Sequence, residues 1–378
     1  MAIEQPRWHG IVARVTQPQW GGPPAQVNPP APWNPTAARH PQPQWPAQAS
    51  WPAPPPGFGP QAQPAPGAPV PPAPRRNALR LVLLALIGVS LLALAGLVVA
   101  GLTVKPPPIA YANDDYQVPG PELSPPPIPV PASFEQAQQW VTANALYAET
   151  APAPVRCDVP PIDVATADDA LLKSHFEALM ECLVRVWQPP LTQAGFQIYR
   201  PTVTIYDQEI ATKCGAGKLP ENAFYCGADQ QVYWSRTLGP VLAPFAESKR
   251  AGDEVMAHEF GHAIQGRTGI LTSKNWIASE APDKPAAFEV TRRNETQADC
   301  LAGMFIRSVS VSLALQQSDV AQIQQNFADS GDDVVSGKPD IVGNHGLSPS
   351  RRYWGSMGLS TDEIGRCNTY VAPPNQVR

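Results

Sequence analysis

The chain has 378 residues, with 27 Lys and Arg against 32 Asp and Glu and a formal net charge of −5. That acidic balance gives no support to nucleic-acid binding, which draws on a basic surplus. Its 48 prolines exceed the share of an ordinary globular protein and crowd toward the front, which excludes a chain folded from end to end.

Residues 1–76 are mostly Pro, Gln, Ala and Gly with scattered tryptophans, and Gln17-Pro18-Gln19-Trp20 returns as Gln42-Pro43-Gln44-Trp45. With so few branched aliphatics the segment cannot bury enough surface to offset its chain entropy, so it reads as disordered or polyproline-like. Such a tail serves either as a plain spacer or as an arm that docks on a cytoplasmic partner through Pro-Trp contacts. An uncharged run, LVLLALIGVSLLALAGLVVAGLTV over residues 81–104, predicts a transmembrane helix over 79–104, long enough for a hydrocarbon core of about 30 Å. Arg75, Arg76 and Arg80 precede the run and only Lys105 follows it. The positive-inside rule therefore places the N-terminus in the cytoplasm and the rest outside the cell membrane, in a single pass. Ala110-Tyr111-Ala112 would suit a cleaved signal peptide, but the long tail ahead and the length of the apolar run favour an uncleaved anchor. Residues 105–132 are again proline-rich and read as a stiff spacer.

Residues 133–372 have the hydrophobic patterning of one folded extracytoplasmic domain. A helix is predicted over 133–149, with Phe134, Trp140 and Val141 on its apolar side. Thr166 and Asp169 have capping-box spacing ahead of Leu172, Phe176, Leu179, Met180, Leu183 and Trp187, which fit one helical face. Strands are predicted over 196–206 and 231–235, the second offering an edge along which an extended substrate could pair. Helices follow from Gly252-Asp253 to Gly266 or Gly269, over 288–308, over 319–327 and over 348–357, the last two separated by a Gly- and Asp-rich loop. The fold class is α+β, mainly helical around a small sheet. All six cysteines, Cys157, Cys182, Cys214, Cys226, Cys300 and Cys367, lie beyond the apolar run, which points to disulfides on the oxidising side. Their connectivity does not follow from sequence, although Cys214 and Cys226 bracket a short loop and form the easiest local pair.

The chemistry centres on MAHEFGHAIQ, residues 256–265. In a helix His258 and His262 point the same way and can hold one Zn2+ ion, while Glu259 reaches toward a polarised water. A catalytic zinc wants a third protein ligand. A metzincin triplet would need His at position 268, which is Thr. Downstream, Glu295 and Asp299 lie a helical turn apart. Glu295 suits the ligand of a His2Glu site, and Asp299 suits the acceptor that orients one imidazole. Taken singly, Glu295 reads as a solvated helix carboxylate and Asp299 as the neighbour of Arg292 or Arg293; the conjunction favours the metal.

Several spaced blocks resemble the neutral zinc metallopeptidases of bacteria, over about residues 208–370. They are Thr212-Lys213-Cys214-Gly215, Ala223-Phe224-Tyr225-Cys226 with Asp229 and Val232-Tyr233, and His258-Glu259-Phe260-Gly261-His262 with Gln265. Glu295-Thr296-Gln297-Ala298-Asp299-Cys300 with Ala302-Gly303 follows, then His345-Gly346-Leu347-Ser348 with Arg351 and Trp354, and Cys367-Asn368-Thr369. Thr296 stands where such relatives usually have Leu, and Gly227 where they usually have Pro. The resemblance implies a zincin-like domain that hydrolyses peptide or protein substrates. It also implies a Cys300–Cys367 pair, which leaves Cys157 with Cys182. The expected mechanism is attack by a zinc-polarised water with Glu259 as general base, the proton passing on to the leaving amine. His345, Arg351 and Tyr225 are unranked candidates for stabilising the oxyanion, and His345 reads equally as a histidine without a catalytic part. The alternative is a catalytically silent, membrane-anchored adaptor or binding protein on the same fold; the intact Glu259 speaks against it.

Overall fold

The structure, a computed structural model, describes residues 76–103, 108–218, 222–238 and 248–378. The tail over 1–76 and its two Gln-Pro-Gln-Trp motifs lie outside them, apart from Arg76. The chain divides into two units, Met1–Pro107 and Pro108–Arg378. In the first, α1 (Arg76–Thr103) carries the window Leu79–Gly96 with a mean hydropathy of 2.4 and none of it buried. By length and composition α1 can cross a membrane.

The second unit begins at residue 108 rather than at 133, a correction to the expected spacer. A proline-rich segment with no internal ladder still has carbonyls, and side chains from the domain donate to them. Gln231 Nε2 donates to Glu122 O at 3.1 Å, Gln230 Nε2 to Pro126 O at 2.8 Å, and Thr272 Oγ1 to Pro129 O at 2.6 Å. Residues 108–132 thus form a strap on the folded body.

Helices α2 (Phe134–Thr142) and α3 (Asp169–Gln193) follow. The helix expected over 133–149 is shorter, since Ala143 leaves helical geometry and a 3-10 turn over Ala145–Ala148 takes over. The cap of α3 is Asp168, whose carboxylate accepts from Leu171 N at 2.8 Å. Thr166 Oγ1 instead donates to Asp163, so the predicted capping box does not form. The apolar face of α3 is buried as the periodicity requires, and Phe176 packs on Trp234 with ring centroids 4.5 Å apart.

The strands are β1 (Val203–Tyr206), β2 (Ile210–Thr212), β3 (Gly215–Lys218), β4 (Ala223–Cys226) and β5 (Gln231–Ser235). β2 and β3 make a separate hairpin, while the main sheet has the order β1-β5-β4, parallel between β1 and β5 and antiparallel between β5 and β4. Two expectations change here. Only the end of 196–206 is strand, and β5 is the central strand with both edges paired, so among the described residues the outer edges of the sheet belong to β1 and β4.

The remaining helices are α4 (Ala251–Arg267), α5 (Ile270–Ser279), α6 (Lys284–Val309), α7 (Gln317–Asp329), α8 (Asp332–Ser336) and α9 (Ser348–Ser360). α5 starts at Gly269, whose φ of 75° suits a residue without Cβ. α4 is buried on nearly every side, between the sheet, α3 and α6. α6 packs on both α4 and α9. At the second of these crossings a Cβ on Gly358 would collide with Cys300 O and lie 2.7 Å from Met304 N, so the two backbones touch. The disulfides are Cys157–Cys182, Cys214–Cys226 and Cys300–Cys367, and the last ties α6 to the C-terminal coil.

Two acids open α4. Asp253 accepts from His175 Nε2 at 2.6 Å and from Arg250 Nη1 at 2.7 Å, all three side chains being buried. Glu254 is 2 % exposed and its Oε2 meets no donor. Burial, and then the charge of Asp299, push its pKa from 4.5 up to about 8 despite the opposing charges of His258 and Arg351.

Gly358→Ala should destabilise the domain by about 2 kcal/mol or more, read from chemical denaturation, because backbone has to give way. Glu254 holds its proton more tightly in the folded than in the unfolded chain. Its contribution to stability is therefore full below about pH 4.5 and is lost as the pH rises through about 8. Glu254→Gln should remove that loss, so the gap between variant and parent in denaturation midpoints should widen in the variant's favour from pH 5 to pH 9.

Candidate metal centre

Residues four apart on α4 share a face, so His258 and His262 project together, toward the turn of α6 that carries Glu295. Glu295 Oε2 lies 3.4 Å from His258 Nε2 and 3.3 Å from His262 Nε2. The three ligand atoms fall within 4.8 Å of one another.

The hydrogen bonds behind the rings fix which nitrogen faces inward. His258 Nδ1 is 2.8 Å from Asp299 Oδ1. Asp299 is ionised, its carboxyl held low against burial by the charge and hydrogen bonds of Arg351, so it accepts and the Nδ1 donates. His262 Nδ1 is 2.8 Å from Gln265 Oε1. The orientation of that amide is set by its other end, where Gln265 Nε2 donates to Asn294 O at 2.8 Å and to Gln297 Oε1 at 3.1 Å. Its oxygen therefore accepts from His262. Both Nε2 atoms present lone pairs to Glu295, and three acceptors facing one another call for a cation.

Burial works against a charged ring, yet the hydrogen bonds to Asp299 and Glu295 prevail and raise His258 to about 10. Burial likewise acts to raise Glu295, but the neighbouring His262 and both imidazole contacts hold its carboxyl well below the usual range. Two neutral imidazoles and one carboxylate are a donor set that suits Zn2+.

Glu259 points to the sheet side of α4 and is 7 % exposed. Its Oε2 accepts from the Tyr225 main-chain N–H at 2.8 Å, which is possible because Tyr225 sits on the unpaired edge of β4. The Tyr225 side chain runs the other way. A Cβ built on Gly266 would lie 3.3 Å from its hydroxyl, and burial pushes that phenol well above its ordinary range. Tyr225, one of the unranked oxyanion candidates, thus reaches Glu259 by its main-chain N–H.

Arg351 also departs from expectation. Its Nε and Nη2 bind Asp299 at 2.8 and 2.6 Å, and its Nη1 donates to Ser330 O at 2.9 Å, so the guanidinium is spent behind His258. His345 is half exposed, with Nδ1 3.1 Å from Asp332 Oδ1 and its main-chain N–H on Asp332 Oδ2 at 2.9 Å. Desolvation lowers its pKa, but the Asp332 hydrogen bond and the charges of Glu295 and Asp332 outweigh it and the net shift is upward.

Several neighbours escaped the sequence reading. Gln265 and Gln297 belong to the quoted motif blocks, but only the folded amide network shows what they hold. Tyr370 donates to Asn294 Oδ1 at 3.3 Å, and burial raises its phenol with help from the charges of Tyr147 and Glu295. Lys274, on the unforeseen α5, is lowered by burial against the pull of Glu295. No spacing signal pointed to either.

Comparison with known proteins agrees with this geometry. The chain is 29 % identical over 195 residues to "Uncharacterized protein YpfJ" of Escherichia coli (strain K12), covering 49 % of this chain and 66 % of that protein. It is 28 % identical over 210 residues to "Uncharacterized protein Rv2575" of Mycobacterium tuberculosis (strain ATCC 25618 / H37Rv), covering 50 % and 67 %. The chain therefore spans about two thirds of the length of these relatives. No solved structure matches it. The family described as "Putative neutral zinc metallopeptidase" matches residues 150–370, more than half of the chain and the whole of the centre described above, and the protein belongs to that family.

Proposed function

We propose that the protein is a membrane-anchored, zinc-dependent endopeptidase. The observation that carries the reading is the convergence of His258 Nε2, His262 Nε2 and Glu295 Oε2, with Glu259 beside them on the same helix. Zinc held by those three ligands would polarise a peptide carbonyl and acidify a water molecule. The Glu259 carboxylate takes the proton from the attacking water and passes it to the leaving amine nitrogen. Tyr225 N–H fixes one oxygen of that carboxylate. Asp299 and Gln265 hold the two imidazoles in the Nδ1–H form, with Arg351 in turn holding Asp299.

The substrate backbone pairs with β4. Ser235 N donates to Asn222 O, so in the antiparallel alternation Asn222, Phe224 and Cys226 turn their polar groups to β5 while Ala223 and Tyr225 turn theirs outward. An extended peptide laid on that edge passes along Glu259. His345, oriented by Asp332 and set in the field of Glu295, is the donor to the developing oxyanion.

α1 serves as the anchor. The arginines ahead of the apolar run support a cytoplasmic N-terminus, and three disulfides in the unit beyond it fit an oxidising compartment.

Glu259→Gln should retain zinc at the parent's stoichiometry, measured by elemental analysis, and lose at least about a hundredfold in kcat on peptide substrates. Peptide hydrolysis by that variant at the parent's rate would sink the mechanism. Glu295→Ala should instead lose zinc on dialysis under conditions where the parent keeps it.

A further inference from the structure

The strap that replaces the expected spacer makes its densest contacts beside the catalytic helix. Arg267, the last residue of α4, donates from Nη1 to Pro126 O at 2.9 Å, to Pro127 O at 3.4 Å and to Gln230 Oε1 at 3.3 Å. Gln230 Nε2 returns to Pro126 O. These bonds seat Ile128, a half-buried residue, over two places where the backbone carries no side chain. A Cβ on Gly266 would lie 3.5 Å from Ile128 Cγ2, and one on Gly227 would lie 3.5 Å from Ile128 Cδ1. The Tyr225 ring shares the same two sites, its Cε1 being 3.6 Å from the first position and 3.9 Å from the second. Ile128, Tyr225, Gly227 and Gly266 therefore form one packed corner. The N–H of that tyrosine is the group that grips Glu259.

We infer that Ile128 is a positioning residue for the Glu259 carboxylate, acting through the Tyr225 ring and main chain, so that the segment between α1 and the domain is part of the catalytic apparatus. Among the described residues the edge strand β4 has a partner on one side only. Its neighbour β5 fixes the register of the strand, but the tilt of Tyr225 N–H toward Glu259 depends on what holds the ring. A misplaced general base lowers the chemical step without disturbing zinc, whose ligands come from α4 and α6.

The inference rests on Glu259 as the base, so two readouts are needed. In the full chain, Ile128→Ala should lower kcat about tenfold with KM changed less than about twofold, shift the acid limb of the kcat–pH profile and leave zinc content unchanged, while Ile128→Val should restore near-parent values. Amide hydrogen exchange needs no turnover. Tyr225 N–H should exchange about tenfold or more faster in Ile128→Ala, with the amides of β5 unchanged. Should Ile128→Ala not fold, Arg267→Met, which frees Pro126 and Pro127 and so unseats Ile128 without changing that side chain, is read in the same two ways. Unchanged exchange at Tyr225, or a loss of kcat that only tracks global unfolding, would overturn the inference. Turnover by Glu259→Gln would overturn the underlying mechanism instead and leave the exchange result to stand by itself.

Discussion

The centre depends on how closely α4 approaches α6. A Cβ on Gly261 would lie 3.1 Å from Ala298 Cα and 3.2 Å from Ala298 O, so the two helices meet almost backbone to backbone at a glycine flanked by the ligands. Gly261 is the residue before His262, and Ala298 the residue before Asp299. That approach brings Glu295 within 3.4 Å of both imidazoles and Asp299 within 2.8 Å of His258. A methyl group at the crossing would push the carboxylates outward by a few tenths of an ångström, comparable to the tolerance of a metal–ligand bond. α9 presses from the far side through Gly358 and delivers Arg351 to Asp299.

Around that crossing most of the polar groups are matched to one another, Glu254 Oε2 being an exception. Gln265 binds His262, Asn294 O and Gln297, and Gln297 continues to Tyr147 and Cys367 O. An amide can orient an imidazole only if its own two ends are told apart, and the donors placed on Asn294 O and Gln297 Oε1 do this for Gln265. The Cys300–Cys367 bond sits at the end of the same network and fastens the coil that supplies Tyr370. Buried polarity on this scale is costly unless complete, and here it preorganises the ligands before any metal arrives.

Much of this was legible in the sequence where the signal is local. The apolar face of α3 repeats with helical period, and the spacing of His258, Glu259, His262, Glu295 and Asp299 states which side chains share a face. What the sequence hid is non-local. α5 is a ten-residue helix of Thr, Ser, Lys and Asn among a few apolar residues, with little periodicity of its own. Strand order cannot be read from one strand, so β5 looked like an edge when β4 and β1 flank it. The strap has the composition of a free linker, and the donors that hold it lie about 100 to 140 residues away in sequence. Arg351 looked like a donor for substrate because nothing near it in sequence shows that Asp299 already claims it.

The free edge of β4 has an outcome for selectivity. Of its outward polar groups, Tyr225 N–H is spent on Glu259, which leaves Ala223 N–H with the Ala223 and Tyr225 carbonyls. On the proposed reading, main-chain pairing with a guest peptide would be limited to a few bonds, each of modest net worth in water. Grip of that strength would discriminate little between one sequence and another and would let cleaved fragments leave quickly, so that preference among peptides would fall to the side chains that line the approach.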